Sequence, residues 1–580
     1  MDTTAKRNIK INYNITFREA QAHYVDVEML IDGLEQAVLD LKMPVWTPGS
    51  YMVREFSKNI EWLEVETNGQ PIATAKTRKN VWRLHTDGLS QVTVHYRIYA
   101  FEISVRTSFV DASHAFLSSP DIFVYPDGML DHPATIHIKP YQGWNKVSTS
   151  LESAGGDPFT LLSPNYDILF DSPIEVGTQE VISFGVDDVK YHIAMSGEGN
   201  YDADVLKADF TKIVKEQEAI FGENPNPHYT FIIHNRSKGG GGLEHLSSTV
   251  LGAQRDGYTD AETYQSFLKL VSHEHFHLWN VKRLRPVALG PFDYDNENYT
   301  TNLWIAEGFT SYYQDMVLRH AQMYSADDYL QWLANAINVL ENQPGRNVQT
   351  VAESSFDAWI KAYRPNENSA NTTISYYNKG ELIALLLDLE IIHQTKGAKS
   401  LSDVMRYTYN EYYKKLDRGF TDAEFKTALE LIAGKKLDTF YAHYINGVTP
   451  LPYNQYLSYA GYRLVNQLDG SNSAAMGIGT KTVNGAFVIS SVVRGSAAWI
   501  SGLSVNDEII KIDGSVITTM DGIVADKRPG DTMLFEINRD GVLMEIAIIL
   551  LKSTRVKYYI ESVNELNTEQ LIVREKWLKL

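Results

Sequence analysis

Hydrophobic and polar positions change their spacing along the chain, and the spacing predicts different elements in different regions. Over roughly the first 170 residues the pattern is that of β-strands. Apolar and polar residues alternate over residues 9–17, and β-branched and aromatic residues fill residues 92–101. Turn sequences such as Thr47-Pro48-Gly49-Ser50 separate these runs. The pattern predicts a β-sandwich-like module.

Apolar residues take a helical spacing from about residue 200 onward. The predicted helices cover residues 203–220, 260–279, 301–323, 326–340, 380–394 and 421–433, with a strand at 229–234. Short strands and glycine turns follow between residues 470 and 552, and the charged tail 561–580 is again helix-prone. The fold class predicted by this order is multidomain α+β.

Composition excludes several classes of function. The 580 residues carry a formal net charge of −19, which argues against binding to nucleic acid. Cysteine is absent, so disulfides, thiolate zinc fingers and a cysteine nucleophile are excluded, and any metal site must use histidine and carboxylate. No apolar run is long enough to cross a membrane, and the first residues lack the apolar core of a signal peptide. We therefore expect no membrane insertion and a cytoplasmic chain as given, or a periplasmic or secreted one if a leader has been removed.

The strongest chemical signal is the segment His273-Glu274-His275-Phe276-His277, which contains H-E-x-x-H. On a helix, residues four apart lie one turn above each other, so His273 and His277 can bind one zinc ion. Glu274 projects about 100° from His273, close enough to hold a water molecule without binding the metal, whereas His275 faces away. The pattern predicts one Zn²⁺ per chain.

A catalytic zinc ion needs a third protein ligand and an open position for water. The best candidate is Glu307, on the next predicted helix, in Trp304-Ile-Ala-Glu307-Gly-Phe-Thr310. Its rival, Glu297, lies in a polar stretch typical of a surface loop. Spacing alone leaves open whether Glu307 is a ligand or a solvated helix carboxylate.

Four consecutive glycines, residues 239–242, precede Leu243-Glu244-His245. A glycine edge that includes Gly241 and Gly242 lets a substrate backbone approach closely and pair like a strand. The carboxylate of Glu244 can then bind a protonated α-amine, with His245 as a neighbour. The alternative interpretation is a mobile loop with an exposed glutamate.

These motifs resemble those of the gluzincin metallopeptidases, in which W-x-x-E-G-F-T follows H-E-x-x-H. The gap between His277 and Glu307 is longer than in aminopeptidase N enzymes, and it resembles that of the glycyl aminopeptidase relatives of the superfamily. The segment Pro44-Val-Trp-Thr-Pro-Gly-Ser-Tyr51 in the N-terminal module is also similar to those relatives. The resemblance implies that Glu307 is the third zinc ligand and that Glu244 gives exopeptidase character, although Leu243 and His245 replace the Met and Asn of the superfamily's G-x-M-E-N element.

The same resemblance extends to Tyr377-Asn-Lys-Gly380, which is similar to the superfamily's Y-x-K-G segment. It implies that Tyr377 stabilises the oxyanion of the tetrahedral intermediate, while Tyr376 packs. It also implies a preference for N-terminal glycine or alanine, for which the sequence itself shows no pocket.

Residues 494–514 resemble a PDZ domain, with a small-residue helix, a tight turn and a strand that ends in Asp513-Gly514. Met476-Gly-Ile-Gly479 is the candidate loop for binding a peptide C-terminus. Packing without peptide binding is an equally open interpretation of this domain.

With the resemblance, the sequence predicts a zinc aminopeptidase that acts on peptides with a free N-terminus. The predicted domains are an N-terminal β domain (1–175), a thermolysin-like catalytic domain (176–330), a helical domain that completes the active site (331–460), a PDZ domain (465–555) and a tail (556–580). Two alternatives stay open: a zinc endopeptidase whose PDZ domain recruits substrates, and an inactive peptide-binding scaffold.

Overall fold

The computed structural model of the chain describes residues 9–580. Residues 1–8, which include the start of the predicted N-terminal domain and of the segment judged for a leader, lie outside the described residues. The chain divides into two compact units. Unit 1 is Met1–Thr300, Tyr313–Met323 and Ser402–Phe425, and unit 2 is Thr301–Tyr312, Tyr324–Leu401 and Lys426–Leu580. Among the described residues, no helix combines the length and the apolar composition needed to cross a membrane.

Unit 1 begins with three β-sheets that share one hydrophobic core. The eight-stranded sheet has the order β14-β15-β12-β1-β2-β8-β4-β5, and two four-stranded sheets have the orders β13-β16-β10-β9 and β11-β3-β7-β6. The strands are β1 (Lys10–Thr16), β2 (Tyr24–Asp32), β3 (Val38–Lys42), β4 (Ile60–Thr67), β5 (Gln70–Pro71), β6 (Thr74–Arg78), β7 (Val81–His85), β8 (Gln91–Tyr99), β9 (Phe109–Val110), β10 (Ala115–Leu117), β11 (Tyr125–Pro126), β12 (Ala134–Lys139), β13 (Lys146–Thr149), β14 (Glu152–Ala154), β15 (Asp157–Ser163) and β16 (Ile174–Gly177).

The predicted alternation is confirmed in β1 and β8, where buried residues occupy every second position. Ile11, Tyr13 and Ile15 point into the core, and each is at most 2% exposed. A period of two on a sheet places one face of the strand against the core, so this pattern requires the layered β arrangement that the sequence predicted.

A fourth sheet of unit 1 has the order β17-β18-β19-β21-β20. Its strands are β17 (Glu180–Val186), β18 (Val189–Ser196), β19 (His228–Arg236), β20 (Gly242–Glu244) and β21 (Ser248–Gln254). Strands β18, β19 and β21 are parallel, whereas β20 is an antiparallel edge strand. Two helices pack on one face, because Phe210 of α2 and His275 of α3 both lie against Phe231 of β19.

The helices follow the predicted ranges to within a few residues at most ends. They are α1 (Tyr166–Phe170), α2 (Ala203–Phe221), α3 (Ala261–Phe276), α4 (Thr310–His320), α5 (Ala326–Glu341), α6 (Val351–Phe356), α7 (Ser369–Thr372), α8 (Tyr376–Gln394), α9 (Leu401–Thr408), α10 (Asp422–Ala433), α11 (Asp438–Phe440), α12 (Tyr453–Leu457), α13 (Ala497–Ser501) and α14 (Thr568–Leu578). Residues 301–323 depart from the prediction, because a π-helical turn at Trp304–Phe309 precedes α4.

The last part of unit 2 contains a five-stranded antiparallel sheet with the order β24-β25-β26-β27-β28 and its own core. The strands of this part are β22 (Tyr462–Asn466), β23 (Ala474–Ala475), β24 (Ile478–Val483), β25 (Ala486–Val492), β26 (Glu508–Ile512), β27 (Thr532–Arg539), β28 (Val542–Ile549), β29 (Leu551–Lys552) and β30 (Tyr558–Ser562). The small-residue helix α13 begins at its cap Ser496, as the sequence pattern indicated.

Candidate active site

The H-E-x-x-H histidines lie at the C-terminal end of α3. His273 is in the last turn and His277 caps the helix, so their rings are one turn apart, with centroids separated by 4.7 Å. Both are buried, at 8% and 1% exposed. The helix begins at Asp260, whose side chain accepts a hydrogen bond from the Thr263 amide.

Each of these histidines has its Nδ1 atom held by an acceptor. His273 Nδ1 donates to Gln314 Oε1 at 2.9 Å, and His277 Nδ1 donates to the Asn280 carbonyl at 2.8 Å. With the proton fixed on Nδ1, the lone pair of the neutral ring is on Nε2, which is the atom a zinc ion needs. The donor chemistry of this pair therefore fits zinc.

His275, which the sequence predicted to face away from His273, is a core residue. It is fully buried, packs against the rings of Tyr229 and Phe231, and its Nδ1 lies 2.5 Å from Gln217 Oε1. Burial lowers the pKa of His275 to about 3. This imidazole is neutral and faces away from its two neighbours in the motif.

Glu274 lies directly against the backbone of the edge strand β20. A Cβ atom on Gly242 would fall inside the Glu274 carboxylate, so only glycine fits at this position of the strand. Glu274 is 5% exposed. The carboxylate thus lies over the backbone of β20, the edge strand along which a peptide backbone can align.

Glu244, at the other end of β20, is buried and not exposed as a mobile loop would leave it. It is 4% exposed, and its Oε1 has no hydrogen-bond partner among the described residues. Gly49, with φ of 87°, provides the space for this carboxylate, because a Cβ on Gly49 would lie 2.7 Å from both oxygens. Ligand atoms of Glu244, Glu274 and His277 lie within 4.8 Å of one another. Two carboxylates buried this closely favour a cation beside them.

The glycine run before Glu244 is fixed against the neighbouring strand. Gly240 N donates to the Gly252 carbonyl at 2.8 Å, and Gly252 N donates to the Gly241 carbonyl at 2.9 Å. Gly240 and Gly241 have φ of 115° and 82°, which glycine adopts without strain. The glycine run is therefore hydrogen-bonded to the neighbouring strand, and its glycines allow close approach of another backbone.

His245 belongs to a buried ionic network with Asp171 and Lys282. Its Nδ1 lies 3.0 Å from Asp171 Oδ1, and Lys282 Nζ donates to the same oxygen at 2.7 Å. Burial alone would raise the pKa of Asp171, but Lys282 and His245 hold that pKa down at about 2. The network fixes the turn that follows Glu244, since the Leu246 amide also donates to Asp171.

Replacing Asp171 by Asn is expected to lower the stability of unit 1 by about 3–5 kcal/mol, because the buried Lys282 ammonium loses its partner. The depressed pKa makes the contribution of Asp171 fully present above about pH 4, and it is lost as the pH falls toward 2. Urea midpoints of wild type and D171N should therefore differ at pH 7 and converge near pH 2. The exposed Asp188→Asn serves as a control, and an unchanged midpoint in D171N at pH 7 would contradict the prediction.

Glu307 lies in unit 2, in the π-helical turn Trp304–Phe309, and is 2% exposed. Such turns in helices are frequent at functional sites. The alternative interpretation of Glu307 as a solvated helix carboxylate is therefore wrong. Gly308, the next residue, is in backbone contact with α8, because a Cβ on Gly308 would lie 2.5 Å from Gly380 Cα.

Tyr376 and Tyr377 form the first turn of α8, which Ser375 caps through the Asn378 amide. Tyr376 is 1% exposed and Tyr377 is half-buried, with the two rings stacked at 4.7 Å. The difference in burial agrees with packing for Tyr376. Gly380 ends the motif, and the Gly308–Gly380 contact joins the turn of Glu307 to the helix of Tyr377 within unit 2.

Sequence reasoning did not identify Arg106, Gln314 or Gly49 as parts of the site. Arg106 donates to the Gly242 carbonyl at 3.1 Å from 136 positions away, and Gln314 fixes the ring of His273. Nothing in the local sequence signals Arg106. Gly49 lies in the segment Pro44–Tyr51, whose resemblance to the glycyl aminopeptidase relatives could have pointed to a role for this residue in the site. Its contact with Glu244 is seen only in the structure.

Comparison with known proteins gives consistent matches over the whole chain. A family model described as M61 glycyl aminopeptidase matches residues 266–383, that of the peptidase M61 N-terminal domain matches residues 12–178, and a PDZ domain model matches residues 474–550. The crystal structure of an aminopeptidase N family protein from Idiomarina loihiensis is 31% identical, with a TM-score of 0.90 over 98% of this chain and 100% of that one.

Two more distant structures are also similar in part. An M1 zinc metallopeptidase from Deinococcus radiodurans is 13% identical with a TM-score of 0.49, covering 77% of this chain and 96% of that one. Yeast LTA4 hydrolase in complex with bestatin is 13% identical with a TM-score of 0.44, covering 77% and 69%. At these TM-scores both are too distant to bear on the chemistry of this chain. No curated protein sequence gave a match.

Proposed function

Because the chain belongs to the M61 glycyl aminopeptidase family, we propose that it is a zinc-dependent aminopeptidase that removes N-terminal residues from peptides. The observation that carries the proposal is Glu244: a buried carboxylate, at the end of an edge strand, whose Oε1 has no protein partner among the described residues. A substrate α-ammonium group is the natural partner for such an oxygen.

In this proposal one zinc ion is held by His273, His277 and Glu307. Support comes from the fixed Nδ1 protons of the two histidines and from the burial of Glu307 in its π-helical turn. Two histidines and a glutamate are a donor set of catalytic zinc sites. When bound, the ion supplies Lewis-acid activation of a water molecule and of the scissile carbonyl.

Glu274 acts as the general base, taking a proton from the attacking water and passing it to the leaving amine. Its position against Gly242 supports this role, because a peptide paired with β20 brings its backbone to that carboxylate. Gly241 and Gly242 then supply the strand edge, and His245 neighbours the amine anchor Glu244.

Tyr377 donates a hydrogen bond to the oxyanion as the tetrahedral intermediate forms. A phenol is neutral at pH 7 and rigid, so it can direct one O–H group at developing charge. The half-burial of Tyr377, beside the buried Tyr376, supports this assignment. A preference for glycine or alanine at the substrate N-terminus rests on the family.

The PDZ domain is proposed to bind a peptide C-terminus at Met476-Gly-Ile-Gly479. Strand β24 begins in this loop and is an edge strand of its sheet, which is where β-augmentation occurs. Gly477, with φ of 83°, packs so closely on Ser496 that no side chain fits there.

Glycyl and alanyl anilides test the function when compared with the same anilides carrying an N-acetyl group. The zinc-loaded full chain should turn over the free-amine substrates, and acetylation should lower kcat/KM by at least about 30-fold, because a buried charge loses its partner. Equal rates of cleavage at an internal bond, for peptides with a free N-terminus and for the same peptides with an acetylated one, would support the endopeptidase alternative. If the zinc-loaded chain turned over none of these substrates, the result would support the alternative of an inactive peptide-binding scaffold.

A further inference from the structure

A second cluster of metal-binding side chains lies in unit 1, on β16, on β19 and at the residue just before β10, away from the H-E-x-x-H helix. Glu175 bridges two histidines: its Oε1 lies 2.7 Å from His114 Nδ1, and its Oε2 lies 3.0 Å from His234 Nε2. Ligand atoms of the three residues all lie within 4.8 Å of one another. Two imidazoles and one carboxylate are the donor types that zinc takes in proteins.

The cluster is deeply buried. Glu175 is 0% exposed and His234 is 3% exposed, while the His114 side chain keeps 15%. A carboxylate at this depth needs positive charge close by. Without a metal that charge comes from His114, because burial lowers the pKa of its ring but the Glu175 carboxylate raises that pKa by more. A divalent cation would satisfy the charge and use the same three atoms.

A solvent-connected cavity of 430 Å³ reaches the histidines, so an ion has a path to them. The cavity lies where the parallel strands β18, β19 and β21 end, with Ser196, Asn235 and Arg255 among its lining residues. In open α/β sheets, ligands bind in the crevice beyond the carboxyl ends of parallel strands.

The cavity also offers a fourth donor. Gln179 is 5% exposed and lines the cavity, its Nε2 donates to Ser148 Oγ at 2.9 Å, and its Oε1 has no hydrogen-bond partner. An amide oxygen is a regular ligand of divalent cations. Gln179 Oε1 is close to the cluster, because a Cβ built on Gly177 would lie 3.3 Å from this oxygen and 3.0 Å from His114 Cβ.

The charges around the cavity favour a cation. Three carboxylates line the cavity in addition to the nearby Glu175: those of Asp111, Glu180 and Glu198. Two guanidinium groups, those of Arg236 and Arg255, also line it. The Arg236 guanidinium lies over the Phe109 ring, 5.1 Å from its centroid, and also interacts electrostatically with Glu175, while Arg255 donates to the Asn235 carbonyl. The carboxylates still outnumber the guanidinium groups around the cavity.

We propose that His114, Glu175 and His234, with Gln179 as a fourth ligand, bind a second zinc ion that is separate from the catalytic one. It would join β16 of the N-terminal sheets to β19 of the following sheet, and so stabilise unit 1 without taking part in peptide hydrolysis. The inference does not depend on the proposed peptidase activity.

Metal content of the full chain tests the proposal. Wild-type protein, saturated with zinc and freed of excess ion by gel filtration, should hold two equivalents by elemental analysis. His234→Ala and His277→Ala should each hold one, the double variant none, and the exposed His137→Ala two. Glu175→Gln, close in shape to the native residue, repeats the His234 result if that variant folds poorly. Added zinc should also raise the unfolding temperature of His277→Ala but not of the double variant.

One equivalent in wild type, lost in His277→Ala and kept in His234→Ala, would overturn the second site and leave a hydrogen-bonded ionic cluster there. One equivalent lost in His234→Ala and kept in His277→Ala would overturn the catalytic zinc and support this site. The two proposals therefore fail in different variants.

Discussion

Replacing Glu274 by Gln is expected to lower kcat by about 10²–10⁴-fold while the zinc content stays unchanged. The amide keeps the shape of the carboxylate and can accept and donate hydrogen bonds, but it cannot take a proton from water and pass it to the leaving amine. Steady-state kinetics on alanyl anilide, with metal analysis of the same sample, measures both quantities. KM should change little, since Glu274 is not a ligand of the substrate amine.

The matched control is Glu262→Gln, an exposed glutamate in the first turn of the same helix α3, which should retain wild-type kcat. Activity of Glu274→Gln within about tenfold of wild type would contradict the general-base role. Loss of zinc in that variant would show that the carboxylate acts on the metal site instead.

Replacing Glu244 by Ala is expected to cost about 2–5 kcal/mol in the binding of free-amine substrates, because their α-ammonium loses its buried partner. This corresponds to a decrease in kcat/KM of roughly 30- to 4,000-fold. Most of the effect should appear in KM, with some loss of kcat because the scissile carbonyl is less well placed. Free and N-acetylated alanyl anilides, assayed in parallel, measure the effect.

Acetylated substrates provide the internal control. Their slow turnover should stay the same or rise in Glu244→Ala, since the buried acid no longer opposes an uncharged end. Glu244→Gln, which keeps the size and removes the charge, should behave like the alanine variant toward free amines. If free and acetylated substrates lost activity in the same ratio, Glu244 would be a structural residue.

Local patterns were enough to predict much of the fold and the centre of the site. Apolar residues that recur with periods of two and 3.6 predicted β1, α2 and α5 nearly to the residue. This works because the residues that bury one face of an element are close together in the sequence. The H-E-x-x-H pair was predictable for the same reason, since its geometry is set within one turn of one helix.

Features that depend on distant pairings were not predictable. His114 and His234 lie 61 and 59 positions from Glu175, and no periodic pattern links them. The burial of Glu244 depends on Gly49, which approaches from a turn between β3 and β4 of unit 1. The π-helical turn at Glu307 is also invisible to a pattern with a period of 3.6, because it adds one residue to a turn.

The backbone contact between Gly308 and Gly380 limits which substitutions two separate motifs can accept. A Cβ on Gly308 would meet Gly380 Cα at 2.5 Å, and a Cβ on Gly380 would meet the Trp304 carbonyl at 2.6 Å. Substitution of either glycine by alanine would therefore push the turn of Glu307 away from the helix of Tyr377. The W-x-x-E-G and Y-x-K-G segments, although far apart in sequence, are therefore constrained together, because a side chain added to either glycine must be met by a change in the other segment.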